Sequence, residues 1–209
     1  MMGASDFGRA GRWPHLFVCE RGIRVNVEPR PLNQYPWFLR PFFWAQRRRY
    51  GVVLTPALLW ARIPRIYVAL AMFYGALERR GSHLQPVLRA LILTRVSQLN
   101  DCAFCIDING GNLLARGADA KKLDDLARWR EAAVFTDEEQ VALDYAEAMT
   151  LSDRGVTPEV MARVRPYFEG DRLVELTALI AFQNMSTKFN SALAVPPQGF
   201  CVRPPPPQS

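Results

Sequence analysis

The sequence predicts an all-α protein, and three observations support that prediction. From Pro56 onward, apolar residues recur at the spacing of one helix face. No pair of alternating segments joined by a short turn indicates a β-hairpin. Helix start signals are present as well: Thr136 and Glu139 match a capping box, and Thr157 precedes Pro158 at a first helical position. Together they predict a compact multi-helix bundle.

The predicted helices follow one another with short connections. We place them, with boundaries accurate to a few residues, at 56–61, 64–78, 86–98, 102–116, 119–129, 137–151, 158–167 and 171–190. No tandem repeat is evident. We therefore predict one helical domain over 51–195, preceded by a basic, aromatic-rich arm over 1–50 and followed by a Pro-rich tail over 196–209.

The two ends are predicted to be irregular for different reasons. Residues 1 to about 34 mix Gly, Arg and Pro without periodicity, and the tail contains PPQGF and PPPP, which cannot be helical. Between them, 35–50 hold seven aromatic residues. We favour the hypothesis that this segment covers the protein's own core or a neighbouring subunit. Aromatic and arginine side chains together could alternatively contact a membrane surface.

Composition excludes several classes of protein. A hydrophobic content of 49% with 22% charged residues is typical of a folded domain. The longest apolar run, 66–77, covers 12 residues, where a transmembrane helix needs about twenty. No signal-peptide pattern begins the chain, so we expect a cytoplasmic protein. The net charge of +6 comes entirely from the first fifty residues, yet three consecutive arginines beside a helix indicate a solvated face better than a nucleic-acid site.

The segment 95–116, RVSQLNDCAFCIDINGGNLLAR, holds the only closely spaced cysteines, Cys102 and Cys105. Asn100 and Asp101 are good N-cap residues, so both thiols are predicted to lie in the first turns of a helix, where its dipole favours a thiolate. Because Cys19 and Cys201 are isolated and the two histidines lack ligand spacing, a redox dithiol is favoured over zinc. Such a pair can reduce a peroxide through a sulfenic acid and then a disulfide.

Helical spacing places Cys102, Cys105 and Asn109 on one face. We predict that Gly110 and Gly111 permit close packing against another helix. We also expect Phe104, Ile106 and Ile108 to be core contacts rather than pocket residues. Amides on the last predicted helix could line a site or satisfy buried backbone groups; these are Gln183, Asn184 and Asn190.

The chain from about 35 to 201 resembles the carboxymuconolactone decarboxylase-like superfamily, on the branch of the alkylhydroperoxidase D-like proteins. Three motifs carry the resemblance: RVSQLNDCAFCIDIN at 95–109, YAEAMT at 145–150 and ELTALIAFQNMSTKFNSALAVPPQGFC at 175–201. The resemblance implies an all-helical subunit that forms trimers, hexamers or related oligomers without metal or organic cofactor. It also implies that Cys105 attacks a hydroperoxide and that Cys102 resolves the product.

Two positions depart from the pattern that the resemblance implies. Asn109 stands where the hydroperoxidases have a histidine, and Ala90 stands where they have a glutamate. Neither can relay a proton near neutral pH. Asp107 is turned off the cysteine face by its spacing, and Glu175 lies on a distant helix. Since acid–base assistance contributes about a hundred- to ten-thousand-fold in rate, we expect weak peroxidase activity.

Three functional hypotheses remain at this point. The first is a thiol-dependent peroxidase acting on a small hydroperoxide, with an unknown thiol donor. The second is an oligomeric scaffold or redox sensor that retained the fold and lost the relay. Lactone decarboxylation ranks lowest, because that branch relies on residues other than a CxxC pair.

Overall fold

A computed structural model describes residues 25–201 of the chain. Within that range all regular secondary structure is helical and no strand is present, which confirms the predicted fold class. The α-helices are α1 (Arg40–Tyr50), α2 (Thr55–Trp60), α3 (Pro64–Leu77), α4 (Pro86–Leu99), α5 (Ala103–Ala115), α6 (Ala120–Asp125), α7 (Asp137–Thr150), α8 (Pro158–Val164) and α9 (Gly170–Ala192). Short 3-10 helices cover Leu32–Gln34, Trp37–Leu39 and Leu126–Glu131.

Helix α4 forms the centre of the bundle and packs against α5, α7 and α9. Its side chains are buried on every side, including Leu91, Ile92 and Val96 as well as the hydroxyls of Thr94 and Ser97. A helix that is buried on every side and carries apolar residues around its circumference belongs in a core. Burying one large aliphatic side chain stabilises the fold by about 1.5 to 3 kcal/mol. Because α4 buries several such side chains against α5, α7 and α9, these contacts fix the positions of the three helices around it.

Local start signals act where the sequence places them. Thr136 Oγ1 accepts a hydrogen bond from the Glu139 backbone N–H, and Glu139 Oε2 accepts one from the Thr136 N–H, which confirms the capping box. Helices α1 to α4 and α8 each carry a proline within their first two residues. Proline is favoured there because its missing N–H would have no partner inside the helix.

The predicted helix over 119–129 is wrong in its second half. The α-helix ends at Asp125, and a 3-10 segment with a bend at Arg128 replaces the rest. Trp129 follows the bend, is buried, and donates its indole N–H to Glu147 Oε1 at 2.9 Å. This tertiary hydrogen bond favours a path that a straight helix would not follow.

The aromatic segment is helical over Arg40–Tyr50, which its sequence pattern did not predict. Tyr35, Leu39 and Phe43 are buried against Tyr67 of α3 and its surroundings. These contacts agree with the hypothesis that the segment covers the protein's own core. Other aromatic side chains remain on the surface, with Trp37 76% and Trp44 62% exposed. A neighbouring subunit or a membrane surface therefore stays a hypothesis for those tryptophans.

The chain after α9 turns back and runs without helix along α5 as far as residue 201. Asp107 of α5 holds it: its carboxylate accepts the backbone N–H groups of Gln198, Gly199 and Cys201 at 2.7 to 2.8 Å. Residues 1–24 of the predicted arm and 202–209 of the predicted tail lie outside the described residues. Among the described helices, none is both long enough and apolar enough to cross a bilayer.

The glycines of α5 allow the C-terminal segment to pack closely against the helix. The prediction that Gly111 packs against another helix was therefore wrong, because its neighbour is the non-helical backbone of Phe200. A Cβ atom at Gly111 would lie 2.5 Å from the carbonyl oxygen of Phe200. At Gly110 the neighbours are Cys201 Sγ and Leu123 of α6, at 3.2 and 3.4 Å. Close approach of a second backbone therefore requires glycine at 111.

Replacing Gly111 tests this contact. We expect Gly111→Ala to lower the free energy of unfolding by about 1 to 3 kcal/mol, because the methyl group must displace the Phe200 backbone. Gly75→Ala in α3 is the matched control: nothing lies within 4 Å of its Cβ position, so it should stabilise by about 0.5 to 1 kcal/mol. Urea unfolding of the two variants measures both. Equal changes in the free energy of unfolding for Gly111→Ala and Gly75→Ala would contradict the close contact between Gly111 and Phe200.

Candidate functional site

The two cysteines lie where α4 meets α5. Cys102, rather than the predicted Asn100 or Asp101, is the N-cap of α5, and its Sγ accepts the Cys105 backbone N–H at 3.3 Å. Asn100 instead ends α4 by donating its side-chain N–H to the Val96 carbonyl oxygen at 3.0 Å. Both cysteines are buried and joined in a disulfide, with Cα atoms 5.2 Å apart.

Side-chain amides surround this pair. Ser97 Oγ accepts one N–H from Asn109 at 3.1 Å and one from Gln183 at 2.9 Å, and its hydroxyl donates to Leu93 O at 2.6 Å. Asn190 of α9 donates to Cys105 Sγ at 3.2 Å. An N–H donor at sulfur stabilises the thiolate relative to the thiol, so Asn190 favours the reactive form of Cys105 once the disulfide is reduced.

In the described part of the chain, the cysteine face contains hydrogen-bond donors, and none of the candidate relay residues supplies a base there. Asn109 is committed to Ser97, and Ala90 is buried in the main core. Asp107 is turned away from Cys105, as its spacing predicted, and binds the C-terminal segment, which the spacing did not predict. Glu175 accepts the His83 backbone N–H at 2.9 Å and pairs with Arg79. No carboxylate or imidazole of these described positions replaces the missing relay.

A cavity of about 300 Å³ lies in front of Cys105 and is bordered by α1, α2, α3, α5 and α9. Cys105 lines it, whereas Cys102 does not. Phe104 and Ile108 also line the cavity, so the prediction that they are core contacts rather than pocket residues was wrong. Both side chains are buried beside Cys102 and Cys105, and they form part of the cavity wall as well. Burial raises the pKa of Tyr67, another wall residue, to about 12, so its phenol stays protonated at neutral pH.

The arrangement brings together the predicted Cys102, Cys105 and Asn109. It adds Ser97, Gln183 and Asn190, of which the sequence pattern singled out only the two amides. Gln183 and Asn190 are seven residues apart, two turns of one helix face. Polar side chains on a buried face were therefore the available signal. Ser97 gave none, because a serine inside an apolar helix commonly bonds its own backbone.

A buried glutamate, Glu147, holds an ionic cluster at the α4–α7 interface, part of which reaches the surface. Glu147 Oε1 accepts from Arg95 Nε and from the Trp129 indole, each at 2.9 Å, and Oε2 pairs with Arg130 and Arg154. Burial alone would raise the pKa of Glu147, but the indole hydrogen bond and the Arg95 charge outweigh it and hold that pKa below its usual value. Glu147 therefore stays ionised in the folded protein.

Comparison with known proteins places this architecture in a family. Residues 64–148 match the model of the carboxymuconolactone decarboxylase family. The "Uncharacterized protein YnjA" of Escherichia coli (strain K12) is 44% identical over 171 residues, which cover 82% of this chain and 94% of YnjA. The chain belongs to the carboxymuconolactone decarboxylase family.

Solved structures share the fold at low sequence identity. The "alkylhydroperoxidase AhpD core: uncharacterized peroxidase-related protein" of Ralstonia eutropha JMP134 superposes with a TM-score of 0.76 at 20% identity, over 85% of this chain and 94% of that one. The debrominase Bmp8 in complex with 2,3,4-tribromopyrrole gives a TM-score of 0.74 at 17% identity, over 83% and 91%. The fold is thus the alkylhydroperoxidase D-like type.

The ionised state of Glu147 predicts how stability depends on pH. Because its folded pKa lies below the unfolded value, its contribution is present above about pH 4.5 and is lost as the pH falls below that value. We expect Glu147→Gln to cost about 2 to 4 kcal/mol at pH 7, since buried arginine charge loses its partner, and to flatten the acid limb of the stability profile.

The control for this prediction is Glu138→Gln, which removes a half-exposed ion pair with Arg172. Exposed pairs contribute about 0 to 1 kcal/mol. Thermal unfolding of both variants and the parent protein, measured between pH 3 and pH 7, separates the two cases. Parallel acid limbs for Glu147→Gln and the parent would contradict the pKa assignment.

Proposed function

We propose that this protein is a thiol-dependent peroxidase that reduces organic hydroperoxides without a metal or organic cofactor. Cys105 is the attacking thiol and Cys102 the resolving one. The observation that carries the proposal is that Cys105 borders the cavity while Cys102, bonded to it, does not. A substrate in the cavity therefore meets Cys105 first.

The proposed reaction has two steps. The Cys105 thiolate attacks the terminal peroxide oxygen, the O–O bond breaks, and Cys105 sulfenic acid and an alcohol form. Cys102 then attacks the Cys105 sulfur, and the hydroxyl leaves as water. The two thiol protons end on the alcohol and on water. An external dithiol, oxidised to its own disulfide, returns the pair to the reduced state.

The surrounding groups act on these steps in identifiable ways. Asn190 stabilises the Cys105 thiolate by donating an N–H to its sulfur. The Cys105 backbone N–H at the start of α5 does the same for Cys102. Neither donor can accept a proton, so deprotonation depends on solvent. We therefore expect slow turnover, in keeping with the missing relay at Asn109 and Ala90.

The cavity fits a compact apolar molecule. Bmp8, which shares the fold, is described as a debrominase in complex with a small aromatic ring. This supports the use of an aromatic hydroperoxide as a first substrate. We further expect a homo-oligomer, a trimer or hexamer, and no role in nucleic-acid binding.

A turnover assay with cumene hydroperoxide and dithiothreitol tests the proposal. Wild type should consume several equivalents of hydroperoxide. Cys105→Ser should fall to the protein-free background. Cys102→Ser should still form the Cys105 sulfenic acid but should turn over more slowly, because dithiothreitol must then reach and reduce that buried sulfenic acid directly. Cys201→Ser is the matched cysteine control and should retain turnover. Hydroperoxide consumption by Cys105→Ser at the wild-type rate would contradict the proposal.

The redox-sensing hypothesis is favoured by one specific observation: Asn109, which lines the cavity, donates to Ser97 and has no group that takes up a proton near neutral pH. A sensor would form the Cys102–Cys105 disulfide with one equivalent of hydroperoxide and stop. It would also change its oligomer mass between the reduced and oxidised forms. Light scattering on both forms, next to the turnover assay, separates the two functions.

A further inference from the structure

Arg49 is the only charged side chain among the described residues that line the Cys105 cavity. The remaining wall is mainly apolar and aromatic, with contributions from Trp60, Phe104 and Phe182. Arg49 also lines a second cavity of about 440 Å³, and Tyr50 and Asn112 are shared with it. Arg49 therefore lies where two adjoining spaces meet, at one side of a cavity whose other walls are apolar, aromatic or neutral polar.

Arg49 has no carboxylate within ion-pair distance in the described part of the chain. Its guanidinium carbon lies 5.1 Å from the centre of the Tyr50 ring. Arg116, which lines the second cavity, is by contrast committed to Glu78 and to the Pro86 carbonyl oxygen. Tyr50 shares a side-chain hydrogen bond with Arg49, and the charge of Glu78 also acts on it. Arg49 thus has no ion-pair partner among the described residues, and the N–H donors beyond the one that meets Tyr50 remain for a ligand.

The sequence around Arg49 carries an excess of positive charge, which favours an anionic ligand at this residue. Between 29 and 77 the sequence contains seven arginines and no aspartate, glutamate or lysine. This stretch includes α1, α2 and α3, which form one side of the cavity. Of these arginines only Arg49 lines the cavity, and Glu78, directly after α3, also acts on it. Because a charge of one sign attracts ligands of the opposite sign, the side of the cavity at Arg49 favours an anion, while the largely apolar wall favours an apolar body.

We infer that Arg49 binds the carboxylate of an amphipathic substrate, an organic hydroperoxide whose apolar body fills the cavity and brings the peroxide to Cys105. An arginine fork matches a carboxylate with two parallel N–H donors. The inference rests on the proposed peroxidase function, and it specifies the substrate class: a hydroperoxide of an aromatic or aliphatic acid rather than a neutral one.

A matched substrate pair tests the inference: cumene hydroperoxide with a para carboxylate, and its methyl ester. Stopped-flow measurement of disulfide formation in the reduced protein gives one rate constant for each. We expect the acid to react about ten times faster than the ester, in line with one charge-assisted contact at a partly exposed site. The ratio should fall as salt is raised.

Two variants locate the effect. Arg49→Gln should reduce the acid-to-ester ratio to about one. Arg48→Gln removes the same charge from the same helix, but Arg48 lies over Trp44 and does not line the cavity, so the ratio should persist. An acid-to-ester ratio near one in the wild type, or a ratio that survives Arg49→Gln, would overturn the inference.

A binding measurement keeps this test separate from the peroxidase proposal. If neither hydroperoxide oxidises Cys105, the proposed function fails, and calorimetry with para-isopropylbenzoate on the disulfide form then decides the inference. Binding that is weakened about tenfold in Arg49→Gln and kept in Arg48→Gln would support the carboxylate site. Absence of binding to the wild type would overturn it.

Discussion

The structure depends on how α5 is held from two opposite sides. On one side, the Ser97 hydroxyl of the central helix α4 accepts the Asn109 amide. On the other, Asp107 takes three backbone N–H groups of the C-terminal segment, and Gly111 lets that backbone approach. Because the two anchoring side chains lie on either side of Ile108, α5 can neither rotate nor slide without breaking buried hydrogen bonds. This constraint directs Cys105 into the cavity.

The same constraint limits the chemistry. Among the described residues, the groups that hydrogen-bond around the cysteines are amides, a hydroxyl and a backbone N–H group, which can stabilise a thiolate or orient a substrate but cannot take up a proton near neutral pH. Asn109 contributes to the architecture of α5 and not to acid–base catalysis. In the proposed reaction these groups support nucleophilic attack and disulfide formation, and proton transfer is left to solvent. Binding energy from Arg49 and the apolar wall would then supply part of what the missing relay does not.

The sequence predicted much of the fold because the residues that start a helix lie within a few positions of one another. Thr136 with Glu139 and the N-terminal prolines act over a few residues, so their effect can be predicted without tertiary information. The 3-10 segment Leu126–Glu131 could not be predicted, because the hydrogen bond that favours it joins Trp129 to Glu147 on another helix. Cys102 and Cys105 were identified by spacing, whereas the role of Ser97 depends on Gln183, which is 86 positions away in the chain. Long-range partners of this kind leave no periodic pattern.

The central claim, that Cys105 is the thiol that meets the peroxide, can be measured directly. Cys102→Ser is reduced, treated with one equivalent of cumene hydroperoxide, trapped with a sulfenic-acid reagent and analysed by peptide mass spectrometry. We predict that the label appears on Cys105, and that Cys105→Ser treated in the same way carries none on Cys102. A label on Cys102 in Cys105→Ser, with none on Cys105 in Cys102→Ser, would contradict the account.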